Sequence, residues 1–225
     1  MNDEATGVTT HPMRPLVLDL ARDPERCLVA AATAVRAGEC IVVPTDTVYG
    51  IGTDAFDAVA VQRLLDAKQR GRDMPPPVLV GDAGALDDLA DTVPDGARAL
   101  AAAFWPGALT LIVPVRSSLR LDLGEVRGTI AVRVPDHDSV RDLLRRTGPL
   151  AVSSANTSGR PPATTVAEAV AMLGDAVALY LDGGPTPGET PSTIVDFATD
   201  PGGRVIRHGA LSLERLAASV PTLAG

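Results

Sequence analysis

The sequence predicts a mixed α/β fold, a twisted sheet of parallel and antiparallel strands with helices packed on it. Three observations point there. Segments of helical periodicity and short apolar runs alternate along the chain. The alternation is not strict, and hairpin-like strand pairs appear towards the end, which argues against a purely doubly wound sheet. No internal repeat, low-complexity tract or Ser/Gly linker interrupts the pattern. One domain over residues 14–220 is therefore the simplest count, preceded by Met1–Met13, which is polar, aperiodic and reads as a flexible tail.

The elements follow in order. Asp23 and Pro24 have the form of an N-cap and a first helical residue, and Gly38 stands just past the end of the helix they open. Cys27, Leu28, Ala31 and Val35 form its apolar stripe. Cys40–Val43 is a short apolar run stopped by Pro44, a buried strand. A second helix starts near Asp57 with Val61, Leu64, Leu65 and Lys68 at helical spacing, which leaves Lys68 and Arg70 at or beyond its C-terminal end. Pro75, Pro76 and Pro77 are excluded from regular structure and lead stiffly into a strand at Val78–Val80. Ala-rich helices are expected over 83–90 and 95–104, and strands over 109–115, 129–134 and 150–153. Asp138–Thr147 is a helix with Val140, Leu143 and Leu144 on one face. Thr165 and Glu168 form a capping box that opens a helix to Leu173. Strands near 178–181, 193–197 and 204–207 and a helix from Ser212 complete the chain.

Composition narrows the chemistry. Hydrophobic residues make up 45% and aromatics only 3%, so the core is built from Ala, Val, Leu and Ile. No apolar run approaches the ~20 residues of a membrane helix, and no signal peptide is visible. Cys27 and Cys40 read as buried free thiols, which fits a reducing cytoplasm. A net charge of −8 speaks against a broad nucleic-acid surface but not against a few cations placed for a small anion. Phosphate-loop, dinucleotide and zinc-helix motifs are missing, as is a nucleophile elbow. The three histidines, His11, His137 and His208, have no ligand spacing.

Four segments concentrate polar groups beside predicted strands, where α/β folds place ligand sites. Pro44–Gly50 reads as a strand-to-helix turn carrying two Thr, an Asp and a Tyr. Lys68–Asp73 gathers cations at a helix end. Ser153–Gly159 offers small hydroxyl and amide side chains suited to phosphate or carboxylate. Asp182–Thr193 is rich in Gly and Pro. Arg133 and Arg207, within or at the end of strands, each need an anion or a salt bridge.

In this order, PTDTVYGIGTDAFD, Lys68-x-Arg70, FWPGALTLIV, GTIAVRVPDH, PLAVSSANTSGRPP, LDGG, PSTIVD and VIRHG resemble the YrdC family from about Gly38 to Gly209. The resemblance implies a twisted mixed sheet around a large cleft and a nucleotidyltransferase activity: synthesis of L-threonylcarbamoyladenylate from L-threonine, bicarbonate or CO2, and ATP, with release of pyrophosphate, for the threonylcarbamoyladenosine of tRNA. It implies Lys68, Arg70, Ser154 and Asn156 as the catalytic, ATP-handling tetrad, with Thr129 and Arg207 also facing ATP. Thr47, Arg133, Val152 through its backbone and Ser192 would surround threonine. Mg2+ would arrive on the nucleotide, and downstream tRNA threonylcarbamoyl-transferase proteins would take the product. The family's common residues are replaced by Gln69, Gly71, Met74, Leu79 and Pro191. No protein nucleophile is needed, since positioning and charge stabilisation suffice. The labile product makes Lys68–Pro77 a candidate cover. Two rivals are a sister carbamoyl-adenylate-forming enzyme with another acceptor and an RNA-binding module.

Overall fold

The computed structural model describes residues 15–125 and 127–225; the tail expected over Met1–Met13 lies outside them. The helix signals act where they stand. Asp23 accepts the Arg26 N–H at 3.1 Å and opens α1 (Pro24–Arg36), which buries Cys27, Leu28, Ala31 and Val35. Asp57 caps α2 (Ala58–Ala67). That helix closes with Gln69 N–H on Asp66 O and Arg70 N–H on Leu65 O, both 2.9 Å. This paired closure favours glycine where Gln69 stands at φ +52°. Further helices are α3 (Ala85–Leu89), α4 (Asp95–Phe104), α5 (Asp138–Thr147), α6 (Val166–Leu173), with both bonds of its capping box formed, and α7 (Leu213–Ala217).

The strands are β1 (Val17–Asp19), β2 (Ile41–Val43), β3 (Gly50–Asp54), β4 (Val78–Leu79), β5 (Leu109–Pro114), β6 (Thr129–Arg133), β7 (Leu150–Ser154), β8 (Leu179–Asp182), β9 (Thr193–Asp196) and β10 (Arg204–Arg207). They form one sheet in the order β1-β8-β2-β3-β7-β4-β6-β5-β9-β10. Four neighbouring pairs are parallel (β1–β8, β2–β8, β4–β6 and β5–β9) and the other five antiparallel, the mixed sheet that the sequence predicts.

Two strands depart from expectation. Val17–Asp19 joins the sheet edge only through β8. Gly50–Asp54, of which the sequence reading placed only Gly50, at the end of a strand-to-helix turn, is a strand antiparallel to both β2 and β7. Its glycines hide the strand signal, yet they are what the packing needs. A Cβ on Gly50 or Gly52 would stand 2.7 or 2.9 Å from a Val152 methyl.

Alternation along the strands divides the core between the two faces. Val42 joins one apolar cluster with residues of α2, α3, α4 and α6, whereas Ile41 and Val43 join the other, with residues of α1 and α5. The second cluster extends only to Leu79, Leu150 and Val152. Beyond it, over β6, β5, β9 and β10, that face of the sheet is left as the floor of a cavity. Leu109, Leu111 and Val113 of β5 bury into the first cluster, while Thr110 and Ile112 between them line the cavity.

Candidate functional site

The cavity measures about 410 Å³ and is lined by residues of the Pro44–Gly50 and Arg70–Pro77 segments, the strands β4 to β7, and the Pro191–Ile194 and Ile206–Arg207 stretches. Of the ten residues expected at the site, Thr47, Arg70, Thr129, Arg133, Val152, Ser154, Ser192 and Arg207 line it. Lys68 and Asn156 do not; they stand behind the wall that Ser153 and Ser154 form.

Arg133 ends β6 and is only 7% exposed. Its Nε donates to Gly107 O at 3.0 Å, Nη1 to Thr47 Oγ1 at 3.0 Å and Nη2 to Asp46 Oδ1 at 2.6 Å. Three of the five guanidinium N–H groups are thereby used. The Thr45–Val48 turn holds Asp46 and Thr47 in place: Thr45 Oγ1 donates to Val48 O at 2.6 Å and accepts from the Thr47 and Val48 N–H groups. Asp46 Oδ1 also accepts the Asp136 N–H at 3.0 Å. Burial lowers the pKa of Arg133, and Asp46 opposes that shift.

Arg207, on β10, grips the start of β9. Its Nε and Nη2 donate to Ser192 O at 3.1 and 2.8 Å, and Nη2 also reaches Ser192 Oγ. Ser192 Oγ shares a 2.7 Å hydrogen bond with Thr110 Oγ1. Burial lowers the pKa of Arg207, and the charges of Arg133 and Arg70 lower it further. Arg70 donates from Nη1 to Ser153 Oγ at 3.0 Å, while its buried Nε has no partner among the described residues. The three guanidiniums thus share one cavity whose wall, among the described residues, contains no carboxylate. In a chain of net charge −8, this is a local reversal of sign.

The rest of the wall is largely apolar: Met74, Pro75, Pro76 and Pro77 from the segment before β4, Leu79, Ile112, Ile194 and Ile206 from strands, and Leu123 from the segment between β5 and β6. Met74, Leu79 and Pro191, three departures from the family pattern, all lie on it.

Lys68 is 2% exposed. Its Nζ donates to the backbone carbonyls of Ser154 and Asn156, the latter at 2.7 Å, and to Asn156 Oδ1 at 3.3 Å. Asn156 Nδ2 in turn reaches Arg160 O at 2.7 Å, and Ser158 N–H returns to Lys68 O at 2.9 Å. Lys68 and Asn156, expected at the phosphates, are thus bonded to each other and to the Ser154–Asn156 loop: a buried ammonium needs acceptors, and the loop supplies them. Burial, aided by the charge of Arg70, brings the Lys68 pKa down to about 8.

The fourth polar segment reaches the cavity only through Pro191 and Ser192. Its Gly183–Gly184 part is held by Tyr49, whose hydroxyl donates to Gly184 O at 2.6 Å and accepts the Gly183 N–H at 3.2 Å. Sequence reasoning did not single out Asp46, Thr110 or Ser153. Asp46 and Ser153 lay inside flagged segments, and Thr110 is the one polar residue within the apolar run 109–113. Cys27 and Cys40 are buried free thiols, as expected.

The sheet and this cavity can be set beside known proteins. The family model Sua5_yciO_yrdC, described as telomere recombination, matches residues 33–209. A Mycobacterium tuberculosis protein provisionally named threonylcarbamoyl-AMP synthase is 53% identical over 198 residues, 87% of this chain and 91% of its own length. The Bacillus subtilis threonylcarbamoyl-AMP synthase is 37% identical over 88% of this chain, which spans 57% of that protein. A crystal structure of Pyrococcus abyssi Sua5 complexed with L-threonine superposes with a TM-score of 0.85 at 32% identity, covering 93% of this chain and 61% of that one.

Proposed function

The chain belongs to the Sua5, YciO and YrdC family, and on that premise we propose that it is an L-threonylcarbamoyladenylate synthase. It joins L-threonine, bicarbonate or CO2 and ATP into threonylcarbamoyl-AMP and releases pyrophosphate. The product serves the threonylcarbamoyladenosine modification of tRNA, through downstream threonylcarbamoyl-transferase proteins. Relatives that bear the synthase name, one of them 37% identical, support the reading.

The observation that carries it is the unequal pairing of three arginines in one cavity. Arg133 has a carboxylate partner, and Arg70 and Arg207 have none within hydrogen-bond reach among the described residues. At the uncompensated end, Arg70 and Arg207, with Ser154 and Thr129 beside them, meet the triphosphate. Lys68 and Asn156 shape the loop that presents Ser154. Arg133, Thr47, Ser192 and the backbone of Val152 hold threonine, with the two unused Arg133 N–H groups directed to its carboxylate. The threonine ammonium loses its proton to solvent, the free amine adds to CO2 with loss of a second proton to give the carbamate, and a carbamate oxygen attacks the α-phosphorus as the bond to pyrophosphate breaks. The residues do this by positioning and charge stabilisation, not by covalent catalysis. Among the described residues the wall offers hydroxyls and guanidiniums but no carboxylate for a metal, which suits Mg2+ carried in by the nucleotide. No described helix is long and apolar enough to cross a membrane, and a cytoplasmic site of action fits a tRNA-directed product.

Because Met74, Leu79 and Pro191 line the cavity, a second reading keeps the adenylate chemistry and changes the acceptor. Pyrophosphate release from ATP, with threonine and bicarbonate omitted in turn, decides between them. Dependence on both supports threonylcarbamoyl-AMP synthesis. Dependence on bicarbonate but not on threonine favours another acceptor, and dependence on neither overturns both readings.

A further inference from the structure

We propose that Asp46 is a specificity-determining positioning residue: by neutralising Arg133 it makes that end of the cavity select a zwitterion over an anion. The inference rests on the reading above that threonine binds at Arg133. Among the described residues, Asp46 is the carboxylate within hydrogen-bond reach of the three cavity arginines, and of the three it contacts Arg133 alone, at 2.6 Å. Both side chains are largely shielded, with 8% and 15% of their surface exposed, so the pair acts at reduced dielectric where a unit charge carries far. Asp46 is not part of the cavity wall. It works through Arg133, held in turn by the Asp136 N–H and the Thr45–Val48 turn.

The consequence is a division of charge along one cavity. At the Arg70 and Arg207 end neither guanidinium is hydrogen-bonded to a carboxylate among the described residues, Asp73 acting on Arg70 only from a distance, as a polyphosphate site requires. At the Arg133 end the guanidinium keeps its fork geometry and two free N–H groups, but its net charge is cancelled. A ligand carboxylate still gains directed hydrogen bonds there. An isolated anion, however, meets the repulsion of Asp46, whereas an amino acid brings an ammonium that offsets it. The pair thus keeps inorganic phosphate and the tail of the nucleotide out of the amino-acid end without giving up the carboxylate anchor, a use of repulsion for specificity.

The test measures binding of L-threonine and of 2,3-dihydroxybutanoate, in which a hydroxyl replaces the ammonium. Calorimetry is done with the phosphate end filled by α,β-methylene-ATP. The unaltered chain is expected to prefer threonine by about 10-fold or more, the weight of one charge-assisted bond. D46N should lose that preference and gain competition between inorganic phosphate and threonine, while D46E restores both behaviours. A purely structural role for Asp46 would weaken both ligands alike and leave their ratio unchanged. A D46N chain that keeps the parent's ratio overturns the proposal, as does a parent that binds both ligands equally. Should D46N not fold, the D46N/R133Q double variant removes the pair without leaving a buried charge unpaired, and retention of the threonine preference there is equally fatal. If the unaltered chain binds no threonine at all, the functional reading fails instead, and the two failures are told apart.

Discussion

Replacing Lys68 by Met sets two buried effects against each other, and the structure fixes their sizes. The ammonium of Lys68 serves the carbonyls of Ser154 and Asn156 and the Asn156 amide oxygen. Losing it leaves two shielded carbonyls without that donor, at roughly 1–3 kcal/mol each. Against this, a pKa brought from 10.5 to about 8 means that the folded state carries the charged form at a cost of roughly 3 kcal/mol, and methionine removes that cost. At pH 7 the variant should therefore lose no more than about 3 kcal/mol of stability. The pH dependence is the sharper readout. Between pH 8 and 10.5 the unfolded chain binds the proton that the folded chain has released, so stability rises with pH there. Below pH 8 the cost is fully present. From pH 7 to pH 9.5 the parent should gain about 2 kcal/mol relative to K68M. Urea unfolding of both chains at the two pH values measures this, and pyrophosphate release reports the loss of activity from a collapsed Ser154–Asn156 loop. Equal pH dependence in the two chains, or full activity in K68M, would refute the reasoning.

Three further outcomes follow from the same geometry. Gln69→Gly removes a side chain from a left-handed φ of +52° and should stabilise the chain by about 0.5–1 kcal/mol without loss of activity, read as a raised melting temperature. Gly209→Ala would drive a Cβ to 2.4 Å from Pro191 O and from Ser192 C. Backbone cannot yield as a side-chain tip does, so a loss of about 3 kcal/mol is expected by denaturant titration; a stable G209A would contradict the packing. Arg70→Ala should weaken kcat/KM for ATP by about 10- to 150-fold with little change in the KM for threonine, Arg133→Ala should do the reverse, and Arg207→Ala, which also frees Ser192, should impair both. Steady-state kinetics varying each substrate checks the split.

The legible parts of this protein are those whose signal is local. Asp23, Pro24 and Gly38 bound α1, the Thr165–Glu168 box starts α6, and the apolar stripes name the buried faces, because caps and periodicity act over one or two turns. β3 was not legible. A Gly-Ile-Gly-Thr-Asp segment has weak strand preference, and it is a strand because Val152 of β7 needs the space its glycines leave. Eight of the ten expected site residues reach the cavity. The other two, Lys68 and Asn156, could not have been sorted from Arg70 and Ser154 by sequence. One residue of chain separates Lys68 from Arg70, and only the closure of α2 turns one inward and the other to the wall.

By itself, then, the sequence determined the mixed fold class, the helices, most of the strands and eight residues that gather at one cavity. The tertiary structure decided which partners those residues have. It spent the charge of Lys68 on a loop, paired Arg133 with Asp46 across 87 residues of chain, and left Arg70 and Arg207 without a hydrogen-bonded carboxylate among the described residues. Such pairings depend on which strands become neighbours in the sheet. A sequence shows that a cation is present, but only the packed sheet shows what stands within 3 Å of it.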